Sequence, residues 1–129
     1  MNTVFSETKT VLLVDDDVLL RSMVSRGIRR EGVTTVEADN GHAARELIAA
    51  DTDFDLIILD LQMPVMGGIP FLQWLRQDRQ STIPVLVYTG HTNEEAIVAA
   101  RDAGASQIVN KPLNLEMFFQ QVCQLLELP

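Results

Sequence analysis

Short apolar runs recur along the chain at similar intervals. They lie at Val11–Val14, Val33–Val36, Leu56–Leu59, Val85–Tyr88 and Ile108–Val109, and the second and fifth are the weakest. Runs of this length predict buried strands. Because VLLV and LIIL are apolar at every position, neither face of these strands should meet water, which is typical of a parallel sheet covered by helices on both sides.

The segments between the runs predict helices. Their apolar residues are spaced three and four apart, most clearly in the last segment at Phe118, Val122 and Leu126. This spacing gives a helix one buried face. Gly32 and Gly104 stand where the first and the fourth helix should end, a position that favours glycine. Strand and helix therefore alternate five times.

One α/β domain accounts for this pattern. The five strand–helix units occupy residues 10–127, which we expect to form the folded domain, and residues 1–9 form an N-terminal extension. A total of 129 residues is an ordinary size for a single domain. We therefore expect a stand-alone domain without an attached output domain.

Composition and charge narrow the class of partner. Eighteen Asp and Glu against ten Lys and Arg give a net charge of -8, which repels the phosphate backbone of nucleic acids. No apolar stretch reaches the length of about 18 residues that a membrane span needs, and no secretion signal is present. The single cysteine, Cys123, lies in an apolar helical pattern, which favours a packed thiol and a reducing, cytoplasmic compartment.

Polar residues follow the predicted strands at the points where the strands end. They are Asp15, Asp16 and Asp17 after the first strand, Asp60 after the third, Thr89 after the fourth, and Asn110 and Lys111 after the fifth. The carboxyl ends of parallel strands lie at one edge of a sheet, where open α/β domains bind their ligands. We therefore expect these residues to converge on one site, although they are far apart in the sequence.

Several of these residues also have an ordinary structural explanation. An aspartate at a strand end often caps the next helix, which would account for Asp17. Thr89 and Lys111, taken singly, are more often plain loop residues. Asp60 is harder to explain in this way, because a carboxylate at the edge of a buried strand loses hydration unless a partner compensates it.

Clustered carboxylates indicate a hard cation. Asp15, Asp16 and Asp60 would repel one another unless a cation lay between them. Mg²⁺ prefers oxygen ligands and commonly takes one or two carboxylates together with phosphate oxygens. Lys111 would add a positive charge, which we expect to be solvated before a phosphoryl group arrives, and the Thr89 hydroxyl would donate to a phosphoryl oxygen. The set is suited to phosphoryl transfer onto a carboxylate.

Four segments of the chain carry a resemblance to a known family. VLLVDDD, LIILDLQMPVMGG, VLVYTG and VNKPL, in this order and at these separations, resemble the signatures of response-regulator receiver domains. The resemblance covers essentially the whole chain. It implies a flavodoxin-like fold, a doubly wound five-stranded parallel sheet of order 2-1-3-4-5 with five helices. It also implies a phosphorylation switch of two-component signal transduction, which is a phosphoacceptor that assists its own phosphorylation and dephosphorylation and not an enzyme.

The resemblance also assigns roles to matching positions. It implies that Asp60 accepts the phosphoryl group. Asp15 and Asp16 correspond to the acids that hold Mg²⁺, with Asp16 the better candidate for direct contact, and the Gln62 backbone carbonyl corresponds to a further metal ligand.

Thr89 and Lys111 correspond to the hydroxyl and the lysine that contact the phosphate. The implied partners are a histidine kinase or phosphotransfer protein, which supplies the phosphoryl group, and an unidentified target protein. The target is expected to read the face formed by the fourth helix, the fifth strand and the fifth helix. The chain is expected to be a monomer or a weak dimer.

The sequence departs from the family pattern beside the fifth strand. Many receivers have Tyr or Phe three residues before the lysine, and this chain has Ile108. Tyr88 is not expected to replace that ring, because alternation along the strand sends its side chain to the face opposite Thr89. Gly67 stands where the family often has Asp, and we expect it only to ease the loop.

Two other classes of protein stay as alternatives. A haloacid-dehalogenase-type phosphatase would use Asp15 as its nucleophile and Asp17 as its paired acid, but it needs a further acidic pair after the lysine, where this chain has only Glu116 and Glu127 on a helix. A flavodoxin-like module would bind FMN at the same edge, but the acids of VDDDVLL repel phosphate. A receiver that acts without phosphorylation is disfavoured because every phosphorylation residue is present.

Overall fold

A parallel sheet runs through the part of the chain that the computed structural model describes, residues 8–50, 53–63, 65–90, 94–111 and 114–128. Its strands are β1 (Thr10–Val14), β2 (Thr34–Ala38), β3 (Leu56–Leu59), β4 (Val85–Thr89) and β5 (Gln107–Asn110). The α-helices of these ranges are α1 (Val18–Arg29), α2 (Gly41–Ala50), α3 (Gly68–Gln73), α4 (Glu94–Ala103) and α5 (Leu115–Leu125).

The strand order across the sheet is β2-β1-β3-β4-β5, and every described pair is parallel. The predicted fold class is therefore confirmed. The largest difference is in β2, which begins at Thr34 and continues to Ala38, later than the predicted run. As an edge strand β2 is only partly covered, so its sequence carries a weaker apolar signal than β1 or β3.

Two apolar clusters cover the two faces of the sheet. Val14, Leu59 and Val87 pack with α2, α3 and α4, and we call this side the α2–α4 face. Residues of opposite parity, such as Leu13 and Leu86, pack with α1 and α5 on the α1/α5 face. This alternation decides on which side of the sheet each residue at a strand end lies.

Capping residues mark where the helices begin and end. Asp17 accepts a hydrogen bond from the Leu20 amide at 3.1 Å and is the N-cap of α1, so its ordinary explanation is confirmed. Gly32 follows α1 with φ +81° and Gly104 follows α4 with φ +111°. Both glycines stand where the sequence predicts helix ends, in a backbone conformation that other residues rarely adopt.

The helix that follows β3 changes its winding, from α-helix to one π-helical turn at Trp74–Asp78. Within this turn the Arg76 guanidinium donates hydrogen bonds to the carbonyl oxygens of Gly104, at 3.0 and 2.9 Å, and of Ser81 and Ile83, at 2.9 and 2.7 Å. One side chain thus ties the end of α4 to the segment that enters β4.

Cys123 is a half-buried free thiol on α5, as the sequence predicts. Burial, with a smaller contribution from Glu31, raises the pKa of this thiol, which keeps it protonated. None of the helices within the described ranges is long and apolar enough to cross a lipid bilayer.

Candidate functional site

Asp15, Asp60 and Tyr88 lie side by side at the carboxyl edge of the sheet. The sheet register pairs Val14 with Leu59 and Leu59 with Val87, so the next residue of each strand occupies the next row. The Asp60 amide donates to the Val14 carbonyl at 3.0 Å, which continues the pairing. By alternation, all three side chains lie on the α1/α5 face. The predicted convergence of Asp15 and Asp60 is therefore confirmed.

Asp15 is fully buried and held on several sides. Its Oδ1 accepts a hydrogen bond from the Asp17 amide at 2.9 Å, and its Oδ2 accepts one from the Tyr88 hydroxyl. The guanidinium of Arg21 donates to the backbone carbonyl of Asp15, and Arg21 in turn forms an ion pair with Glu37 at 2.9 Å. The carboxylate therefore has little rotational freedom.

The carboxyl group of Asp60 is buried beside other charges. The residue is only 4% exposed, and its Oδ1 accepts a long hydrogen bond of 3.4 Å from the Gln62 amide. Burial raises the pKa of Asp60 from 3.8 to about 6, with Lys111 lowering it and Asp15 raising it further. Asp60 is thus a carboxylate at neutral pH, but one whose charge is poorly compensated.

The Lys111 ammonium lies between the two buried acids. Its Nζ is 3.6 Å from Asp60 Oδ2 and 3.9 Å from Asp15 Oδ2, and it stands 4.8 Å from the centre of the Tyr88 ring. The side chain is 23% exposed. The expectation that this ammonium is solvated is therefore wrong, because two carboxylates and an aromatic face take the place of much of its water.

The remaining predicted residues lie at the same edge. Thr89 is fully buried at the end of β4, and its carbonyl accepts a hydrogen bond from the Lys111 amide at 2.8 Å. Asp16 and Gln62 are exposed, so both can be reached from solvent. Asn110, which pairs with Thr89 in the sheet, completes the strand ends that the sequence singles out.

The acidic residues fit a divalent cation. One carboxylate oxygen each of Asp15, Asp16 and Asp60 lies within 4.8 Å of the others. Buried Asp60 and Asp15 repel each other, and an ion with oxygen ligands would relieve this repulsion better than the single charge of Lys111. The ligands on offer are the carboxylates of buried Asp15 and Asp60 and of exposed Asp16. Mg²⁺ binds to carboxylates of this kind while it keeps several water ligands.

The sequence profile of the response regulator receiver domain matches residues 11–123. The chain belongs to this family. Receiver domains are signalling switches of two-component systems and not classical enzymes, and a phosphorylated aspartate and Mg²⁺ are features of the family. Receivers interact with histidine kinases or phosphotransfer proteins.

Relatives and solved structures agree with this membership. A probable transcriptional regulatory protein of Picosynechococcus is 32% identical over 81% of this receiver and 44% of its own length. The response regulator PmrA of Pseudomonas aeruginosa is 36% identical over 82% of this chain and 47% of its own length. The structure of Vibrio cholerae chemotaxis protein CheY4 has a TM-score of 0.84 at 31% identity, covering 92% of this chain and 99% of that one. The receiver thus spans less than half the length of these two curated relatives.

Two residues of this receiver site are missed by sequence reasoning. Tyr88 does lie on the face opposite Thr89, but that face also carries Asp15 and Asp60. Alternation along the strands indicates this placement. Asp15 is two residues after Leu13, Tyr88 is two residues after Leu86, and both leucines lie on the α1/α5 face. The second missed residue is Gly68, where a Cβ atom would meet the Asp60 carbonyl oxygen at 2.6 Å.

Ile108 occupies the position where many receivers have an aromatic residue. It pairs with Val87 and packs, partly buried, against the α2–α4 face. Because isoleucine is β-branched, its χ1 rotamers are restricted in this packing. At this position the structure therefore has a small, restricted aliphatic side chain in place of an aromatic ring.

Proposed function

We propose that this receiver accepts a phosphoryl group on Asp60 with the help of Mg²⁺, and passes the signal on by protein contact. The observation that carries the proposal is the placement of Asp60, which is buried, within 4.8 Å of Asp15 and Asp16 oxygens and 3.6 Å from the Lys111 ammonium. Of the described residues, these bring a nucleophile, metal ligands and a cation to one point.

The transfer exchanges one phosphorus bond for another. An Asp60 carboxylate oxygen attacks the phosphorus of a phosphohistidine donor in line with the P–N bond. A P–O bond forms to give an aspartyl phosphate. The P–N bond breaks, and its electron pair stays on the imidazole nitrogen of the donor. Charge spreads over the equatorial oxygens in the transition state, so positioning and neutralisation account for most of the catalysis.

The neighbouring residues neutralise and orient the group being transferred. Bound Mg²⁺ would be held by Asp16, Asp60 and the Gln62 carbonyl, with Asp15 acting through water, and it supplies charge neutralisation for the phosphoryl oxygens. Lys111 contributes the second positive charge from the opposite side. The Thr89 hydroxyl donates a hydrogen bond to a phosphoryl oxygen.

The proposed donor is a histidine kinase or a phosphotransfer protein, as for receivers in general. The proposed reader is another protein surface and not nucleic acid, since the net charge of -8 repels phosphate backbones. Protein contact through the face of α4, β5 and α5 is the proposed route, with the receiver a monomer or a weak dimer.

Intact-mass spectrometry with a small phosphodonor tests the proposal. With Mg²⁺ present, the protein should gain the mass of one phosphoryl group, and both Asp60→Asn and EDTA should abolish the gain. Asp17→Asn is the matched control, because asparagine keeps the helix cap while removing an aspartate at the same edge. Labelling that survives in the Asp60 variant would contradict the proposal.

The same experiment addresses the phosphatase alternative. A phosphatase of this type would need Asp15 as its nucleophile. In the structure Oδ1 of this buried carboxylate accepts a hydrogen bond from the Asp17 amide, and Oδ2 accepts one from the Tyr88 hydroxyl. Transfer of the label to Asp15 would support this alternative. The family match does not favour either a phosphatase or a flavin-binding module.

A further inference from the structure

Tyr88 contacts two charged residues of the site, and the proposed phosphoryl transfer uses neither contact. Its hydroxyl donates to Asp15 Oδ2, and its ring lies 4.8 Å from the Lys111 Nζ. The hydroxyl and the ring thus act on opposite charges. Asp60 lies between Asp15 and Tyr88 in the same row of the sheet.

The hydroxyl fixes the plane of the Asp15 carboxylate. The Asp17 amide holds Oδ1 at 2.9 Å and the tyrosine holds Oδ2. With one donor on each oxygen, rotation about the last bond of the side chain would break a hydrogen bond inside a buried site. Each oxygen keeps a further lone pair, which can accept a hydrogen bond from a water molecule of a bound metal ion.

The ring gives the Lys111 ammonium a defined place. Phe118 packs against the same ring, with 5.8 Å between ring centres, and Tyr88 is itself fully buried. An ammonium over an aromatic face is attracted by the ring electrons. The Lys111 Nζ also lies 3.9 Å from Asp15 Oδ2. If the Tyr88 hydroxyl did not bind that oxygen, Asp15 would draw the ammonium away from Asp60.

We propose that Tyr88 is a positioning residue, whose hydroxyl orients Asp15 toward Mg²⁺ and whose ring keeps the Lys111 ammonium beside Asp60. This inference rests on the proposed function. A tyrosine that merely needs a hydrogen-bond partner in the core would affect stability but not metal binding. The two explanations therefore differ in the magnesium affinity of the unphosphorylated protein.

Calorimetric titration of the unphosphorylated protein with MgCl₂ measures this affinity directly. Tyr88→Phe keeps the ring and removes only the hydroxyl. Its dissociation constant for Mg²⁺ should rise about 10-fold, the lower end of the effect of removing an outer partner of a metal ligand. Uptake of a phosphoryl group from a small donor should slow by a similar factor.

Phe118→Leu is the control for packing. It removes the ring that supports Tyr88 but leaves the hydroxyl and Asp15 in place. We expect a lower melting temperature and an unchanged dissociation constant. If Phe118→Leu weakens magnesium binding as much as Tyr88→Phe does, the effect comes from packing and the proposal is overturned.

A double-mutant cycle tests whether Tyr88 acts through Asp15. In an Asp15→Asn background the hydroxyl no longer orients a metal-binding carboxylate, so adding Tyr88→Phe should leave the dissociation constant unchanged. A full 10-fold loss in that background, or a Tyr88→Phe affinity within about twofold of the wild type, overturns the proposal. If the wild type neither binds Mg²⁺ nor takes up a phosphoryl group, the proposed function fails as well.

Discussion

The Lys111 Nζ lies 3.6 Å from Asp60 Oδ2, while the rest of the Asp60 carboxyl is enclosed by protein. The lysine lowers the pKa of Asp60, but burial raises that pKa by more, and the balance is a value of about 6. The resting site is therefore short of positive charge. Substitution of either Lys111 or Asp60 should therefore change the free energy of unfolding and the way this free energy depends on pH.

Lys111→Met should destabilise the protein at alkaline pH. The apolar stem still covers the Tyr88 ring, but Asp15 and Asp60 lose their shared cation. We expect a loss of about 1–2 kcal/mol at pH 8 in EDTA, below the cost of breaking a fully buried ion pair because Asp60 can bind a proton instead. The loss should be smaller at pH 5, where Asp60 is protonated in the wild type as well. Urea unfolding at the two pH values measures it.

Lys9→Met is the matched control, since Lys9 directly precedes β1, at the other end of the strand from the site. It should show no such pH dependence. An equal loss at pH 5 and pH 8 for Lys111→Met would mean that the ammonium contributes packing and not charge.

Asp60→Asn should stabilise the protein above pH 6. The pKa of Asp60 is raised in the folded state, so the folded protein binds the proton more tightly than the unfolded chain. Stability associated with this group is therefore full below pH 4 and falls as pH rises to about 6. Two pKa units correspond to at most about 3 kcal/mol, so we expect a gain of about 1–3 kcal/mol at pH 8 in EDTA.

Urea unfolding of Asp60→Asn and wild type between pH 4 and pH 8 tests this sign. The two proteins should converge at the acid end. Asp17→Asn, at an exposed cap, should follow the wild type throughout. A variant that is less stable than wild type at pH 8 would show that Asp60 is compensated better than its burial indicates.

Gly68→Ala should disturb the site through the backbone. Its Cβ would lie 2.6 Å from the Asp60 carbonyl oxygen and 2.8 Å from the Leu61 Cα. Both are backbone atoms, so relief of the contact has to shift the main chain that follows β3 or the start of α3. We expect a destabilisation of about 1–3 kcal/mol, the usual cost of overpacking, together with slower phosphorylation. Thermal unfolding and mass spectrometry measure the two effects.

Gly67→Ala is the adjacent control. Its Cβ would meet the Leu61 carbonyl oxygen at 3.3 Å, and its φ of -75° suits any residue. We expect less than about 1 kcal/mol and normal phosphorylation. If the two alanine variants behave alike, the close approach at Gly68 does not constrain Asp60.

The response to phosphorylation should be largest in α4. Its buried residues are only Ala100 and Ala103, so few large side chains anchor it, and weakly anchored elements open most easily. Ile108 in β5 is stiff and packed. Hydrogen-exchange mass spectrometry with Mg²⁺ and beryllofluoride should therefore show the main change in residues 89–104 and a smaller one in 108–110.

Asp60→Asn provides the control for the exchange experiment, because beryllofluoride should change nothing in it. A dominant change in β5 with a quiet α4 would refute the expected route. Of the range 89–104, residues 91–93, which include His91, lie outside the described residues.

The sequence predicts the fold and the acids of the site because both depend on local patterns. The apolar run before Asp60 and the motif around Lys111 identify strand ends, and parallel strands bring their ends together. The prediction that Lys111 is solvated is wrong because the surroundings of this ammonium depend on distances between strands. The Tyr88 hydroxyl was missed for a related reason, since its partner Asp15 is two strands away and only the sheet register relates them.

Arg76 fixes the C-terminal end of α4 through the carbonyl oxygen of Gly104. Two of its guanidinium nitrogens donate to the Gly104 carbonyl, and the third donates to the carbonyls of Ser81 and Ile83. A helix of 10 residues is about 15 Å long. A displacement of α4 that keeps the Arg76 hydrogen bonds would turn the helix about its C-terminal end. A small movement near Glu94 would then change the angle at which the exposed surface of α4 is presented.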